Sequence, residues 1–155
     1  MAGLVDLNVH LVGSATRATV VDLTWSDLAV LWNDNDMRGV HDWLNERWAG
    51  IVASSLLGHR DPEAEFLQGI AFAAIALHFT QHGNQDGARL MVDDALVALA
   101  KFRPEFMGVG VEPILDTLQT LRPMLAGLAS DDECPMQPFV YRKFEWHPVR
   151  RFAMS

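Results

Sequence analysis

The sequence predicts an all-α protein: a single irregular bundle of about five antiparallel helices around a central apolar helix, with an extended N-terminal lead and a C-terminal strap. Three observations carry this expectation. Residues 62–82 have helix signals at both ends and apolar side chains on nearly every side between them. Ala88, Met91, Val92, Ala95, Leu96 and Leu99 recur at the helical period, with no competing strand reading. The tight Gly83-Asn84 turn between those two segments makes them antiparallel neighbours.

Residues 1–23 show no helical period, and the β-branched residues around Val20 and Val21 suit a short extended piece. Thr24 reads as an N-cap, with Asp27 placed to accept its free amide. Leu23 and Leu28 sit in the staple positions across that cap. The first helix is expected to run to about Trp32 and stop at Asn33-Asp34-Asn35, where Asn35 tolerates the left-handed conformation. A second follows from about Asp36 to Ala49, with Val40, Leu44, Trp48 and Ile51 on one face. His41 lies about 20° from Trp48 at the edge of that face, Asn45 about 40° further out, and Asp42 and Glu46 point to solvent. Gly50 and Gly58 bracket the next connection.

Asp61 caps the third helix, Pro62 fits its first position, and Glu63 and Glu65 favour its positive end. Gly83 is its C′ glycine, after His82. From Phe66 to Phe79 only Gln68 and His78 are polar, and a helix apolar all round is one that other helices surround. The fourth helix begins near Asn84 and Gln85 and ends before Pro104. Gly108 and Gly110 make the next loop flexible. Glu112 and Pro113 open a fifth helix along Ile114, Leu118, Leu121 and Leu125, which Pro123 kinks or ends. Residues 131–155 hold three prolines and read as an extended strap over the bundle.

At 155 residues, 50% hydrophobic and 21% charged, the chain suits one domain. Such a domain buries roughly 70% of its unfolded surface, enough for a core without staples. The lone Cys134 excludes an internal disulfide and a cysteine zinc site. The longest apolar stretch, Ile70 to Leu77, is too short to span a bilayer, so no membrane is expected. The N-terminal residues lack a basic region followed by an apolar one, so no signal peptide is expected, and the expected location is cytoplasmic. The net charge is −8, but it is unevenly spread. From Cys134 onward Arg142, Lys143, Arg150 and Arg151 face one acid, Glu145, a net of +3 that leaves −11 on the rest. A body that acidic repels phosphate backbones, so nucleic acid is not an expected partner. The basic tail either binds a polyanion or folds back onto the body, and Phe139, Tyr141, Phe144 and Trp146 give it apolar matter to bury.

Phe66-Leu67-Gln68-Gly69, then Ala76-Leu77-His78, Gly83-Asn84 and Gly87-Ala88 form a recognisable series. Over residues 28–122 or so the chain resembles the prokaryotic family catalogued as domain of unknown function three hundred and nine. That family pairs a Phe-Leu-Gln-Gly helix and a Gly-Asn turn with an upstream motif of His, three residues, Glu, two residues, Trp. The upstream motif falls here on His41, Asn45 and Trp48. Asn33, Asn35 and Asp36 align with the family's Asn-x-Gly-Glu run, and Gly108 to Glu112 with a later Gly-x-x-Val-Glu-like stretch. The resemblance implies a helical bundle and no established activity. The family's Glu is Asn45 in this chain, and its His-Glu pair is His41-Asp42. A catalytic base or metal ligand at the first position would be lost, since an amide does not titrate near neutral pH.

His41, Asn45, Trp48 and Gln68 fall where the second and third helices cross. One reading is a small-molecule pocket, with His41 as acid, base or donor and Trp48 as a wall. The other is structural. A buried, unpaired Gln68 amide costs about 1–3 kcal/mol, and His41 or Asn45 would satisfy it. His78 and His82 have the i, i+4 spacing of two metal ligands but lack the intervening Glu of the zinc-protease motif. His82 is explained by its place beside free carbonyls at a helix end. A metal would need a third ligand such as His41 or Asp42, so no cofactor is expected. The carboxylates beside Cys134 disfavour its thiolate. Gly108-Val109-Gly110 lacks the third glycine and the strand of a dinucleotide fingerprint, and Ser54-Ser55 has no nucleophile-elbow context. The expected function is a non-enzymatic helical module that docks a protein partner or assembles with itself. The alternative is a small-molecule or metal-binding protein, or a hydrolase-like enzyme, with a pocket of His41, Gln68 and His78.

Overall fold

In the computed structural model, which describes residues 17–128 and 142–147, helices follow one another with little between them. They are α1 (Arg17–Asn33), α2 (Met37–Ser54), α3 (Pro62–Gln81), α4 (Gln85–Ala100) and α5 (Glu112–Ala126). A 3-10 turn at Gly58–Arg60 precedes α3, and a small hairpin of β1 (Glu105–Phe106) and β2 (Val109–Gly110) precedes α5. The architecture is an all-α bundle, as the helical periodicity predicts. None of the described helices is long and apolar enough to cross a membrane.

One local device builds two of the corners. Asn35 (φ 62°) and Gly83 (φ 80°) take the left-handed conformation after α1 and α3. The next amide then reaches back, from Asp36 to the Leu31 carbonyl and from Asn84 to the Phe79 carbonyl, both at 2.9 Å. This is the six-to-one bond that closes a helix end. The same two residues start the following helix: Asp36 accepts from the Gly39 amide and Asn84 from the Gly87 amide. A Cβ at Gly39 would lie 2.5 Å from Asp36 Oδ2, and one at Gly87 2.7 Å from Asn84 Nδ2, so each capping side chain lies in space that a larger residue would claim. At the start of α3, Asp61 accepts from the Glu63 amide at 2.8 Å.

With its ends so turned, α3 packs between α2 and α4, while α1 lies on α2 and α5 on α4. Gly69 sets the α3–α4 approach, since a Cβ there would stand 2.8 Å from Leu99 Cδ2. The core runs through Phe66, Leu67, Ile70, Ala74 and Leu77 of α3 into Leu28, Leu44, Val92 and Leu118 of its neighbours. Near the start of α3, Phe66, Phe102 and Phe106 form a triangle with centroids 4.8, 4.9 and 5.1 Å apart. Arg47 pairs with Glu63 at 2.6 Å and lies over the rings of Trp25 and Trp43, tying α1, α2 and α3 together.

Residues 142–147 run across the ends of α1 and α5 and along the hairpin. Trp32 Nε1 donates to the Arg142 carbonyl at 3.0 Å, and the Phe144 amide donates to Asn33 Oδ1 at 2.9 Å. The Gly110 amide donates to the Glu145 carbonyl, and the His147 amide to that of Gly108, both at 2.8 Å. Phe144 is buried against Trp25 and Trp32. Arg142 pairs with Asp116 at 3.0 Å, so this part of the basic tail meets a carboxylate of the acidic body.

The structure corrects several local expectations. Helix α1 starts at Arg17, so Val20 and Val21 are helical and Thr24 lies inside the helix rather than capping it. Trp25, Leu28, Ala29 and Trp32 form a buried stripe at i, i+3, i+4 and i+7. Once that stripe is packed, extending the helix costs little, and β-branched residues forfeit only about 0.7 kcal/mol each. Helix α2 continues through Gly50 to Ser54, with Ile51 packed on the core. Pro123 does not end α5, because Leu125 is buried beyond it and Arg89 Nε donates to the Leu125 carbonyl at 2.9 Å. Gly108 belongs to a paired hairpin whose turn uses the positive φ of Met107 and Gly108, rather than to a flexible loop. The expectations for residues 1–16 and for Cys134, Phe139 and Tyr141 lie outside the described residues.

The largest correction concerns α3. It is central but not wrapped on all sides: Glu65, Gln68, Phe72, Ile75 and Phe79 trace one flank on which no residue is fully buried. Gln68 itself is exposed, not enclosed. The close contact at Gly69 makes the α3–α4 spacing a sensitive point. Gly69→Val is expected to lower stability by about 1–3 kcal/mol through overpacking, with helical content retained. Urea unfolding followed by circular dichroism checks this.

Candidate functional site

The open flank of α3 and the first two turns of α2 enclose a cleft of about 350 Å³. Met37, Arg38, His41 and Asp42 line it from α2, and Ala74, Ile75, His78 and Phe79 from α3. Both sets follow helical spacing. The Asp36 cap fixes where α2 begins, and residues 37, 38, 41 and 42 then share one face at i, i+1, i+4 and i+5. Residues 74, 75, 78 and 79 repeat that spacing on α3, just before the Gly83 corner. The two corners therefore hold the two walls. The floor is apolar, with Met37 and Ala74 buried and Ile75 and Phe79 half-buried.

The polar groups converge from both walls. His41 Nδ1 lies 3.7 Å from Asp42 Oδ1, with both side chains well exposed. His78 is half-buried and stacks near His82, with ring centroids 4.1 Å apart. His82 Nδ1 donates to the His78 carbonyl at 2.8 Å, which satisfies an end carbonyl of α3 and gives His82 a capping role. Burial first, then the nearby charges of His82, Arg38 and His41, hold the His78 imidazole below its ordinary pKa. A neutral His78 offers one ring nitrogen as donor and the other as acceptor.

Of the residues singled out in the sequence, His41, Asp42 and His78 come together here. Asn45, Trp48 and Gln68 do not line the cleft. Asn45 is exposed on α2. Trp48 is half-buried against the core, and its Nε1 is buried without a hydrogen-bond partner. Gln68 lies ten residues before His78, about 15 Å along the helix axis, and in solvent. The expected hydrogen-bonded cluster of His41, Asn45 and Gln68 therefore has no buried amide to satisfy. Sequence reasoning missed Arg38, Met37, Ile75 and Phe79. The signal was present in their helical spacing from His41 and His78, but it needs the α2–α3 pairing to be read.

Among the described residues no group of three or more His, Cys, Asp or Glu side chains is placed to hold a metal ion. Ser55, one of the two serines considered as a nucleophile, donates to Asp61 Oδ2 at 2.8 Å and serves the turn before α3. Comparison with protein-family models, with curated proteins and with solved structures returns no match for this chain.

The cause of the His78 shift makes a test. The unfolded chain takes up a proton near the ordinary imidazole value of about 6.5, whereas the folded chain resists it to lower pH. His78 protonation therefore favours unfolding, and its contribution to stability falls as pH drops through that window. An NMR titration is expected to place His78 below 6.5, and Arg38→Gln to move it upward by removing a nearby positive charge. Replacement by His78→Gln is expected to flatten the acid-side stability profile.

Proposed function

We propose that this chain is a non-catalytic ligand-binding module, and that the α2–α3 cleft takes a small molecule. The observation that carries this reading is one imidazole on each wall, His41 and His78, above an apolar floor in a cleft of about 350 Å³. That size and composition suit a small organic ligand, held by burial of its apolar part and oriented by a few polar groups. Among the described residues, neither His41 nor His78 has a nucleophile or a paired carboxylate set arranged around it for bond cleavage, and the cleft residues act as donors and acceptors. Under the family resemblance, Asn45 takes the place of a carboxylate and lies exposed outside the cleft, which favours binding over catalysis. A single cysteine suits the reducing cytoplasm.

A second reading, docking to a protein partner or to another copy, draws on a different surface. Leu90 and Val97 lie exposed seven residues apart on one face of α4, and Leu56 is fully exposed in the turn after α2. A mass in solution that rises with concentration favours this reading.

The ligand reading is tested by screening small aromatic and aliphatic compounds by NMR. Binders are expected to shift the resonances of Met37–Asp42 and Ala74–Phe79 together. The double variant His41→Ala, His78→Ala is expected to weaken them about tenfold, the loss of two neutral hydrogen bonds, with helicity unchanged. If no compound shifts both walls, or the variant binds as the natural chain does, the cleft is not a ligand site.

A further inference from the structure

Charge pairing over the described residues leaves a conspicuous exception at the cleft. Arg47, Arg89, Lys101, Arg103, Arg122 and Arg142 each pair with a carboxylate. Arg38 does not, on a chain whose acids outnumber its bases by eight. Arg60 and Lys143 are also without an ion pair, but neither borders the cleft. The carboxylate best placed by sequence to neutralise Arg38 is Asp42, one turn on. It stands instead 3.7 Å from His41 Nδ1. The guanidinium charge is close enough to the His78 ring to oppose its protonation. The lip of an apolar cleft thus carries a guanidinium without an ion pair beside two imidazoles that can donate hydrogen bonds, with the Asp42 carboxylate turned to His41.

Building on the ligand reading, we infer that the cleft takes a small apolar carboxylic acid. Its carboxylate meets Arg38 and the rings of His41 and His78, and its hydrocarbon part lies on Met37, Ala74, Ile75 and Phe79. A guanidinium matches a planar carboxylate with two parallel donors, and charge-assisted bonds of this kind are about twice as strong as neutral ones. A neutral polar ligand leaves Arg38 uncompensated. A phosphate, with more charge and more acceptors, meets the Asp42 carboxylate and finds no glycine-rich nest of amides. One negative charge on an apolar body is the chemistry these residues complement.

The test compares phenylacetate with phenylacetamide, which share a shape and differ in charge, by NMR titration of the full chain at pH 7. Phenylacetate is expected to bind about fivefold tighter, the scale of one partly exposed charge pair. Arg38→Gln is expected to bring the two affinities together by weakening phenylacetate alone. Asp42→Asn is expected to act in the opposite direction and tighten phenylacetate. Both side chains lie at the surface, so circular dichroism of the two variants is expected to match that of the natural chain. Equal affinity for the two probes, or a preference for phenylacetate that survives Arg38→Gln, overturns the carboxylate inference and leaves the ligand reading standing. If neither probe shifts the cleft resonances, the carboxylate inference is overturned, and the ligand reading is decided by the wider compound screen.

Discussion

The structure depends on how closely α3 and α4 can approach. Gly69 lets Leu99 fill the space that any larger side chain would claim, and the Gly83-Asn84 corner returns the chain at that distance. From that contact the rest of the packing follows. Helix α2 closes the other side of α3, α5 covers α4, and α1 covers α2. The aromatic triangle of Phe66, Phe102 and Phe106 then ties the start of α3 to the segment after α4. Interiors are packed to crystal-like density, so a contact this close admits little change in volume.

The same arrangement produces the cleft. The helices packed on α3 do not enclose it, and the side they leave incompletely covered carries Ile75 and Phe79. Where α2 begins at its Asp36 cap, that side becomes a floor with His41 and Arg38 opposite His78. The cleft is a consequence of helix arrangement. Its polarity comes from four side chains on the walls, Arg38, His41, Asp42 and His78, and owes nothing to a buried network. Residues 142–147 reinforce α1, where Phe144 packs against Trp25 and Trp32 and Trp32 Nε1 donates to the Arg142 carbonyl.

Much of the fold is legible in the sequence because its signals are local. Asp61, Pro62, Gly83 and Asn84 mark the ends of α3 and the start of α4 through caps that operate within a few residues. The fifth helix is equally plain at Glu112 and Pro113. The failures share a cause: tertiary packing outweighed a weak local preference. Thr24 has the residues of a cap, but Trp25, Leu28 and Trp32 pull the chain into a longer helix. Gly50 and Pro123 lose to the burial or packing of Ile51 and Leu125. Gln68 was misplaced for a different reason. Uniform apolarity along a helix says how much it buries and not which side stays open, so Gln68 on the open flank looked enclosed. For the site, His41 and His78 stand out by residue type. Arg38 becomes informative only once its missing ion-pair partner and its place in the cleft with His78 are visible in three dimensions.

Native-state hydrogen exchange tests the central role of α3 most directly, because it separates local opening from global unfolding. The amides of Ile70, Ala73, Ala74 and Leu77 are expected to exchange only when the whole chain unfolds, with the full stability measured by urea. Should these amides exchange through a lower-energy opening while those of α1 or α5 remain protected, α3 would not be the element on which the others are assembled.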